Sequence, residues 1–373
     1  MADSLLEDLR ERIHSGGPMP FESFMRLALY HPRFGYYATR VPGQGSDYGT
    51  SPSLTPWFGR LVARELQSMW EALGRPPTFT VVEVGAGRAD LAAAALEGDG
   101  PLQGALRWRF VERFEGVRQL QRARLGPAGA ALEWSPSLGE PPAAAGCVLA
   151  HEVLDNFPVH VLEVAGGGDV REVYVDAEGS RLVERLGPLS DGALSEPALA
   201  AARCLAPGSR LEVCPDLPGW CRDASAAIDR GYLLLIDYGD VEPDLWLRSP
   251  RGTLVTYGPD GPGQDPLADP GRRDVTADVN FSAVTRAVER CGFEPQLFTS
   301  QRAWLRSLGL DEVVDGLELA ADRATTHDLH EEALKLHGEV SELLALVARM
   351  GLGDIMVFRA VKAPRRGGEE KAR

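Results

Sequence analysis

Three short stretches bring together side chains and backbone that could do chemistry. The first, VVEVGAGRADL at 81–91, is an apolar run that carries Glu83, turns on Gly85-Ala86-Gly87 and opens a helix at Asp90. The second is an acid, Glu112, closing the next β-rich run. The third is CVLAHEVLDNFPVH at 147–160, where four mostly apolar residues run into His151, Glu152, Asp155 and Asn156. A Gly-x-Gly turn after a strand admits a ligand to the backbone, as in nucleotide-type cofactor sites. A dinucleotide fingerprint wants a third glycine where Asp90 stands, and a carboxylate at that helix start would repel a pyrophosphate. S-adenosylmethionine has no phosphates; it carries an ammonium, a sulfonium and one carboxylate. Glu83 and Glu112 suit it better, with Glu112 placed to accept from both ribose hydroxyls. A glycine-rich turn with chance acids beside it is the other reading of the same residues.

In open α/β sheets, ligands sit outside the carboxyl ends of the strands. His151, Glu152, Asp155 and Asn156 emerge at such an edge, beside the expected methyl group of the cofactor. Methyl transfer is an in-line displacement, so the protein aligns acceptor and sulfonium and removes a proton where needed. Paired carboxylates would hold a cationic acceptor such as guanidinium in a bidentate manner. The same stretch also reads as an Asp155-Asn156 cap on the next element with a solvated Glu152.

The elements that must position these residues follow from periodicity. Residues 3–14 and a segment starting at Pro20-Phe21-Glu22 read as amphipathic helices, and 31–56 as a long loop rich in Gly, Pro and Tyr. A helix over 58–73 precedes the Pro76-Pro77 boundary. Strands are expected at 79–84, 108–111, 132–134 and 147–150, alternating with helices at about 90–96 and up to 125. That rhythm implies a parallel sheet with right-handed crossovers. It breaks at 159–187, which alternates like a hairpin insertion. A helix at about 196–204 and a strand at 210–213 follow, and the strand 232–237 resumes the sheet. The region 238–280 reads as loop, 281–291 and 311–348 as helix, 356–360 as a last strand and the tail as disordered. The expected organisation is an α/β, doubly wound Rossmann-like class I methyltransferase core (76–158 and 205–362), with an N-terminal helical lid (1–75), a β-hairpin insertion (159–204), a helical C-terminal region and a disordered tail (363–373).

Composition limits the function classes. The 373 residues are 44% hydrophobic, sufficient for a large core, and the formal net charge of −15 argues against a nucleic-acid binder. Five cysteines without a C-x-x-C pair argue against a disulfide framework. His327, His330 and His337 read as a polar helix face rather than a metal site. The N-terminus lacks signal or transit character, and no run approaches the roughly 18 apolar residues of a membrane span. The expectation is a cytoplasmic protein without a membrane span.

In their order along the chain these segments resemble the MidA-like family of S-adenosylmethionine-dependent methyltransferases, which includes the mitochondrial complex I assembly-factor arginine methyltransferase. The resemblance rests on MRLALYHPRFGYY (25–37), SDYGTSPSLTPWFG (46–59), VVEVGAGRADL (81–91), VERFEGVRQLQ (111–121), AHEVLDNFPV (150–159) and LLLIDYG (233–239) with GRRDVTADVNF (271–281). It implies that Gly85 and Gly87 line the cofactor and that Glu112 binds its ribose. It also implies that Glu152 and Asp155 lie at the methyl-transfer site, and that Asp47, Thr50 and Pro52 belong to a lid, with Tyr36 and Tyr37 nearby. His151 stands where the family has Asn, Ala89-Asp90 where it has Gly-Thr, Asp278 for His and Asn280 for Asp. The expected reaction moves a methyl group to a nitrogen of protein arginine, with a complex I subunit as possible partner. A small-molecule methyltransferase and a non-catalytic assembly factor are the alternatives.

Overall fold

The computed structural model describes residues 4–40, 49–126, 131–139 and 141–363. Internal contacts divide the chain into two compact units. One comprises Met1–Tyr48, Glu152–Gly219 and Tyr238–Val284; the other comprises Gly49–His151, Trp220–Asp237 and Thr285–Arg373.

The second unit holds a seven-stranded sheet. Its strands are β1 (Phe79–Val84), β2 (Leu106–Val111), β3 (Ala131–Ser135), β4 (Gly146–His151), β5 (Gly231–Asp237), β6 (Glu294–Ser300) and β7 (Met356–Lys362), in the order β6-β7-β5-β4-β1-β2-β3. From β1 to β5 neighbouring strands run parallel, and β7 lies antiparallel between β5 and β6. The chain builds outward from β1 to β3 and then returns to place β4 on the other side of β1. The strand order therefore reverses between β1 and β4, which makes a switch point at their carboxyl ends. There Val84 pairs with Val111 on one side and Ala150 on the other.

Residue choice follows position in the sheet. All seven residues of the interior strand β5 are buried, as a strand covered on both faces requires. The edge strand β6 alternates exposed and half-buried residues and contains Pro295, so its sequence has no apolar run to announce it. The helix Pro56–Ala72 buries Phe58, Leu61, Val62, Leu66 and Met69. It approaches the helix Asp90–Leu96 closely at Gly59, where a Cβ would lie 2.6 Å from Leu91 O and 2.7 Å from Ala94 Cβ.

The first unit is built on a five-stranded antiparallel sheet. Val170–Glu178 pairs with Arg181–Gly187, His160–Val164 and Met19–Pro20, and His160–Val164 pairs in turn with Arg210–Val213. The expected hairpin is thus the middle of a larger sheet. The helices Leu5–Gly16 and Phe21–Tyr30 cover it, packing Leu9, Phe21, Phe24 and Met25 with Val161, Val173 and Val175.

Two expectations differ from what is observed. The stretch 238–280 is not all loop. It contains a small sheet of Val255–Gly258, Gly261–Gly263 and Asp274–Thr276, and a pairing of Gly239–Asp240 with Val279–Asn280. Strands of two to four residues are too short to show alternation. The units also divide the chain differently from the expected boundaries. Val159, Val275 and Ala277 join the core of the N-terminal helices, so the segments around them group there rather than with the parallel sheet. The helix Pro56–Ala72 goes the other way, through its packing at Gly59. Of the expected tail, residues 364–373 lie outside the described residues. Among the described residues no helix is long and apolar enough to cross a membrane.

Candidate active site

At the carboxyl end of β1 the backbone turns left-handed three times in five residues, at Gly85 (φ 65°), Gly87 (φ 51°) and Ala89 (φ 61°). Glycine adopts this conformation freely, whereas at Ala89 it costs roughly 1–2 kcal/mol. Ala89 is held there by donating its N–H to Ala86 O at 2.7 Å, and it is the N-cap of the helix Asp90–Leu96. Asp90 keeps its carboxylate at the helix start and pairs with Arg124 at 2.5 Å.

Glu83 turns away from solvent. Its carboxyl is buried and accepts the indole N–H of Trp108 at 2.8 Å. Burial pushes its pKa up to about 8, with the Trp108 bond opposing the rise and Asp90 adding to it. At neutral pH it is predominantly a protonated acid.

Glu112 follows β2 directly and is nearly buried. Its Oε1 accepts the Phe114 N–H at 2.9 Å, and its own N–H donates to Ser135 O at 2.9 Å. Arg118, from the helix Glu115–Leu125, donates to the carbonyls of Glu112 and Arg113 and is held in turn by Glu115. Burial raises the Glu112 pKa, opposed first by the Phe114 bond and then by Arg118.

His151 closes β4 on the far side of the switch point. Its ring meets Phe58 edge-on at 5.2 Å, and Phe58 meets Trp304 in the same manner at 6.4 Å. The residue keeps some exposure, but its ring lies deep enough that desolvation pulls the pKa down to about 3. The imidazole is neutral at physiological pH.

Thr50 caps a short helix, Ser51–Leu54, that has Pro52 in its first turn. Ser51 anchors the helix through hydrogen bonds with the buried Gln301 amide at 3.0 and 3.1 Å. The helix lies against Asp90–Leu96, the helix that leaves the glycine turn. Asp47 lies outside the described residues.

In the first unit, Glu152 follows His151 in the chain and takes left-handed backbone (φ 49°). Strain of this kind in a non-glycine residue persists where the surroundings enforce it, often at functional sites. Asp155 and Asn156 are buried, and Asp155 O accepts the Ala277 N–H at 2.9 Å. Asn156 donates to Asp274 Oδ1 at 3.0 Å and its carbonyl accepts from Tyr30 OH at 3.1 Å. Tyr37 OH bonds both Asp274 oxygens, at 2.9 and 3.0 Å, and stacks on Tyr30 at 5.6 Å. Tyr257 has its phenol pKa raised by burial and then by the charges of Asp155, Glu152, Asp278 and Asp274. Glu152 and Asp155 are therefore two of four carboxylates whose charge reaches the Tyr257 phenol. Asp278 and Asn280 have tertiary partners of their own, Arg248 at 2.8 Å and Glu242 at 2.6 Å.

Of the site residues foreseen in the parallel-sheet unit, Gly85, Gly87, Glu112 and His151 lie at the carboxyl ends of its strands, Thr50 and Pro52 lie on a short helix packed against Asp90–Leu96, and the Glu83 carboxyl is taken up by Trp108. Sequence reasoning gave no role to Asp274, Tyr257 or Phe58. Asp274 sits within the last resembling segment, but its partners lie 118 and 237 residues away.

A family model described as S-adenosyl-L-methionine-dependent methyltransferase matches residues 61–299, more than half of the chain. The chain belongs to this methyltransferase family. S-adenosylmethionine is accordingly its cofactor and methyl transfer its reaction class. The mitochondrial protein arginine methyltransferase NDUFAF7 homolog of Drosophila melanogaster is 30% identical to it, over 78% of this chain and 71% of that one. The NDUFAF7 protein arginine methyltransferase of Homo sapiens is 27% identical, over 89% and 78%. A structure from Burkholderia thailandensis, assigned as a methyl transfer enzyme and solved with S-adenosyl-homocysteine bound, superposes with a TM-score of 0.84. It shares 26% identity, with 96% of this chain and 92% of that one covered. The chain shares its fold with that structure and has the Rossmann-like architecture expected for it.

One expectation is overturned. The NDUFAF7 relatives are mitochondrial by name, which conflicts with a cytoplasmic location. The absence of an Arg-rich, acid-poor N-terminus is a compositional signal and does not decide compartment.

Proposed function

We propose that this methyltransferase modifies a guanidinium nitrogen of protein arginine, with the cofactor held at the β1–β2 edge and the acceptor held by Glu152 and Asp155. The observation that carries the reading is the pair Glu152, held in left-handed backbone, and Asp155, buried, whose charges together with those of Asp274 and Asp278 reach the Tyr257 phenol. Planar guanidinium matches carboxylate geometry in bidentate pairs and also stacks on aromatic faces. The relatives named as protein arginine methyltransferases support the same acceptor.

The residues present fit the cofactor. The left-handed turn at Gly85 and Gly87 bares backbone to a ligand, and the buried Glu112 carboxylate gains by receiving hydroxyl donors from a ribose. Asp90 and its Arg124 partner stand where a phosphate site would need exposed amides. Thr50 and Pro52, beside the helix that leaves the turn, would cover the ligand. When bound, the cofactor supplies a methyl group made electrophilic by the sulfonium.

Glu152 and Asp155 would pair with the acceptor guanidinium and take up the proton it releases. His151 enters as a neutral hydrogen-bonding group: an imidazole held near pKa 3 is a weak base and brings no charge to compete with a cationic acceptor. Glu83 would act from beneath the turn, as a neutral acid tied to Trp108, rather than by touching the ligand. Labelled methyl transfer into mitochondrial and cytosolic lysates, followed by acid hydrolysis, tests the acceptor. Label in methylarginine is expected, and the respiratory complex I subunits implied by the resemblance are the first proteins to examine. Label confined to small molecules would sink the reading.

A further inference from the structure

We infer that Gln121 is a positioning residue for the cofactor, setting the direction of the Gly87 carbonyl from the helix Glu115–Leu125. The inference rests on the reading above, in which the glycine turn and Glu112 hold the cofactor. Gln121 is fully buried, and its Nε2 donates to Gly87 O at 2.9 Å across 34 residues of chain. Its Oε1 accepts the indole N–H of Trp134 on β3 at 3.1 Å. The two bonds leave the amide one orientation. The indole can only donate, so it takes the oxygen, and the carbonyl can only accept, so it takes the nitrogen. Trp134 is itself fixed, with its ring stacked on Phe110 at 5.2 Å and the Arg122 guanidinium 5.1 Å above it.

The same helix governs the other half of the cofactor edge. Its N-terminal end holds Glu112 through the Phe114 N–H, and Arg118 holds the carbonyls of residues 112 and 113. Turn and acid are thus referred to one rigid element, and Gln121 is the link to the turn. Without it, Gly87 is released in a segment that has two glycines and an αL alanine to move through. A buried glutamine amide with two required partners is also a costly way to fill apolar space, because each partner is orphaned when it is removed.

The test is calorimetric titration of the full chain with S-adenosylhomocysteine, comparing wild type, Glu112→Ala, Gln121→Met and Gln121→Glu. Met keeps the volume and removes both bonds, and Kd is expected to rise about tenfold. Steady-state rates should show this as a higher KM for S-adenosylmethionine with kcat nearly unchanged. The Glu variant places an acceptor against Gly87 O when ionised and a donor when protonated. Relative to wild type at the same pH, its binding should be weak at pH 8.5 and recover towards pH 5.5. That comparison is internal to one variant and holds even if Gln121→Met folds poorly. Wild-type affinity in Gln121→Met, or a Gln121→Glu ratio that does not change with pH, would overturn the inference while Glu112→Ala still loses binding. Unchanged binding in Glu112→Ala would instead overturn the cofactor site on which it rests.

Discussion

Glu112, Glu83 and His151 are all buried ionisable groups near one sheet edge, yet burial leads each to a different prediction. For Glu112, a carboxylate that receives ribose hydroxyls forms charge-assisted bonds of about 1.5–3 kcal/mol. Glu112→Ala should therefore weaken S-adenosylhomocysteine binding about 10- to 100-fold by calorimetry, and binding equal to wild type would remove it from the site. Glu83 is a linkage case. Its folded pKa of about 8 lies above the ordinary 4.5, so between those values the folded state binds more protons than the unfolded one. Its contribution is fully present below about pH 4.5 and is lost as pH rises through 8. Glu83→Gln should abolish that part of the loss, so that its Tm relative to wild type climbs between pH 6 and 9. His151 has the opposite sign. Its folded pKa of about 3 lies below 6.5, so its contribution is present above pH 6.5 and fades as pH falls towards 3. A His151→Asn variant, matching the residue of the resembling family, should lose less Tm than wild type between pH 7 and 5.

At the scale of elements, close approach of backbones decides what a glycine is for. Gly59 and Gly316 both lie inside helices, where alanine is intrinsically favoured by about 1 kcal/mol. At Gly316 an added Cβ meets nothing within 4 Å, so Gly316→Ala should stabilise by about that amount. At Gly59 it would press on Leu91 O and Ala94 Cβ, in the helix that leaves the cofactor turn. Gly59→Ala should cost about 1–3 kcal/mol in urea denaturation and loosen cofactor binding with it. Equal effects at the two sites would show that helix propensity alone is at work. Sequence periodicity shows both helices and cannot tell these glycines apart, because the difference lies in what the neighbouring helix presents.

For the molecule as a whole, cofactor binding and stability are coupled, since a ligand that binds only the folded state stabilises it by RT ln(1 + [L]/Kd). S-adenosylhomocysteine at about 100-fold above Kd should add about 2.7 kcal/mol, read as a rise in Tm that Glu112→Ala loses. Stability compared between preparations is therefore meaningful only at a stated cofactor concentration.

What the sequence by itself determined about this protein is local. The parallel strands, the Gly85-Ala86-Gly87 turn and the acid after β2 are each set within about ten residues by apolar periodicity and glycine's freedom. These were legible, and in their order along the chain so was the methyltransferase fold. The tertiary structure alone decided which groups meet. It turned Glu83 under the sheet onto Trp108, set His151 against Phe58, tied Gly87 to Gln121, and joined Asn156 and Tyr37 at Asp274. It also made strands of Glu294–Ser300 and of short segments in 238–280. Such contacts depend on packing between distant segments, and the energy of a buried polar group depends on the partner it finds there, which no window of sequence contains.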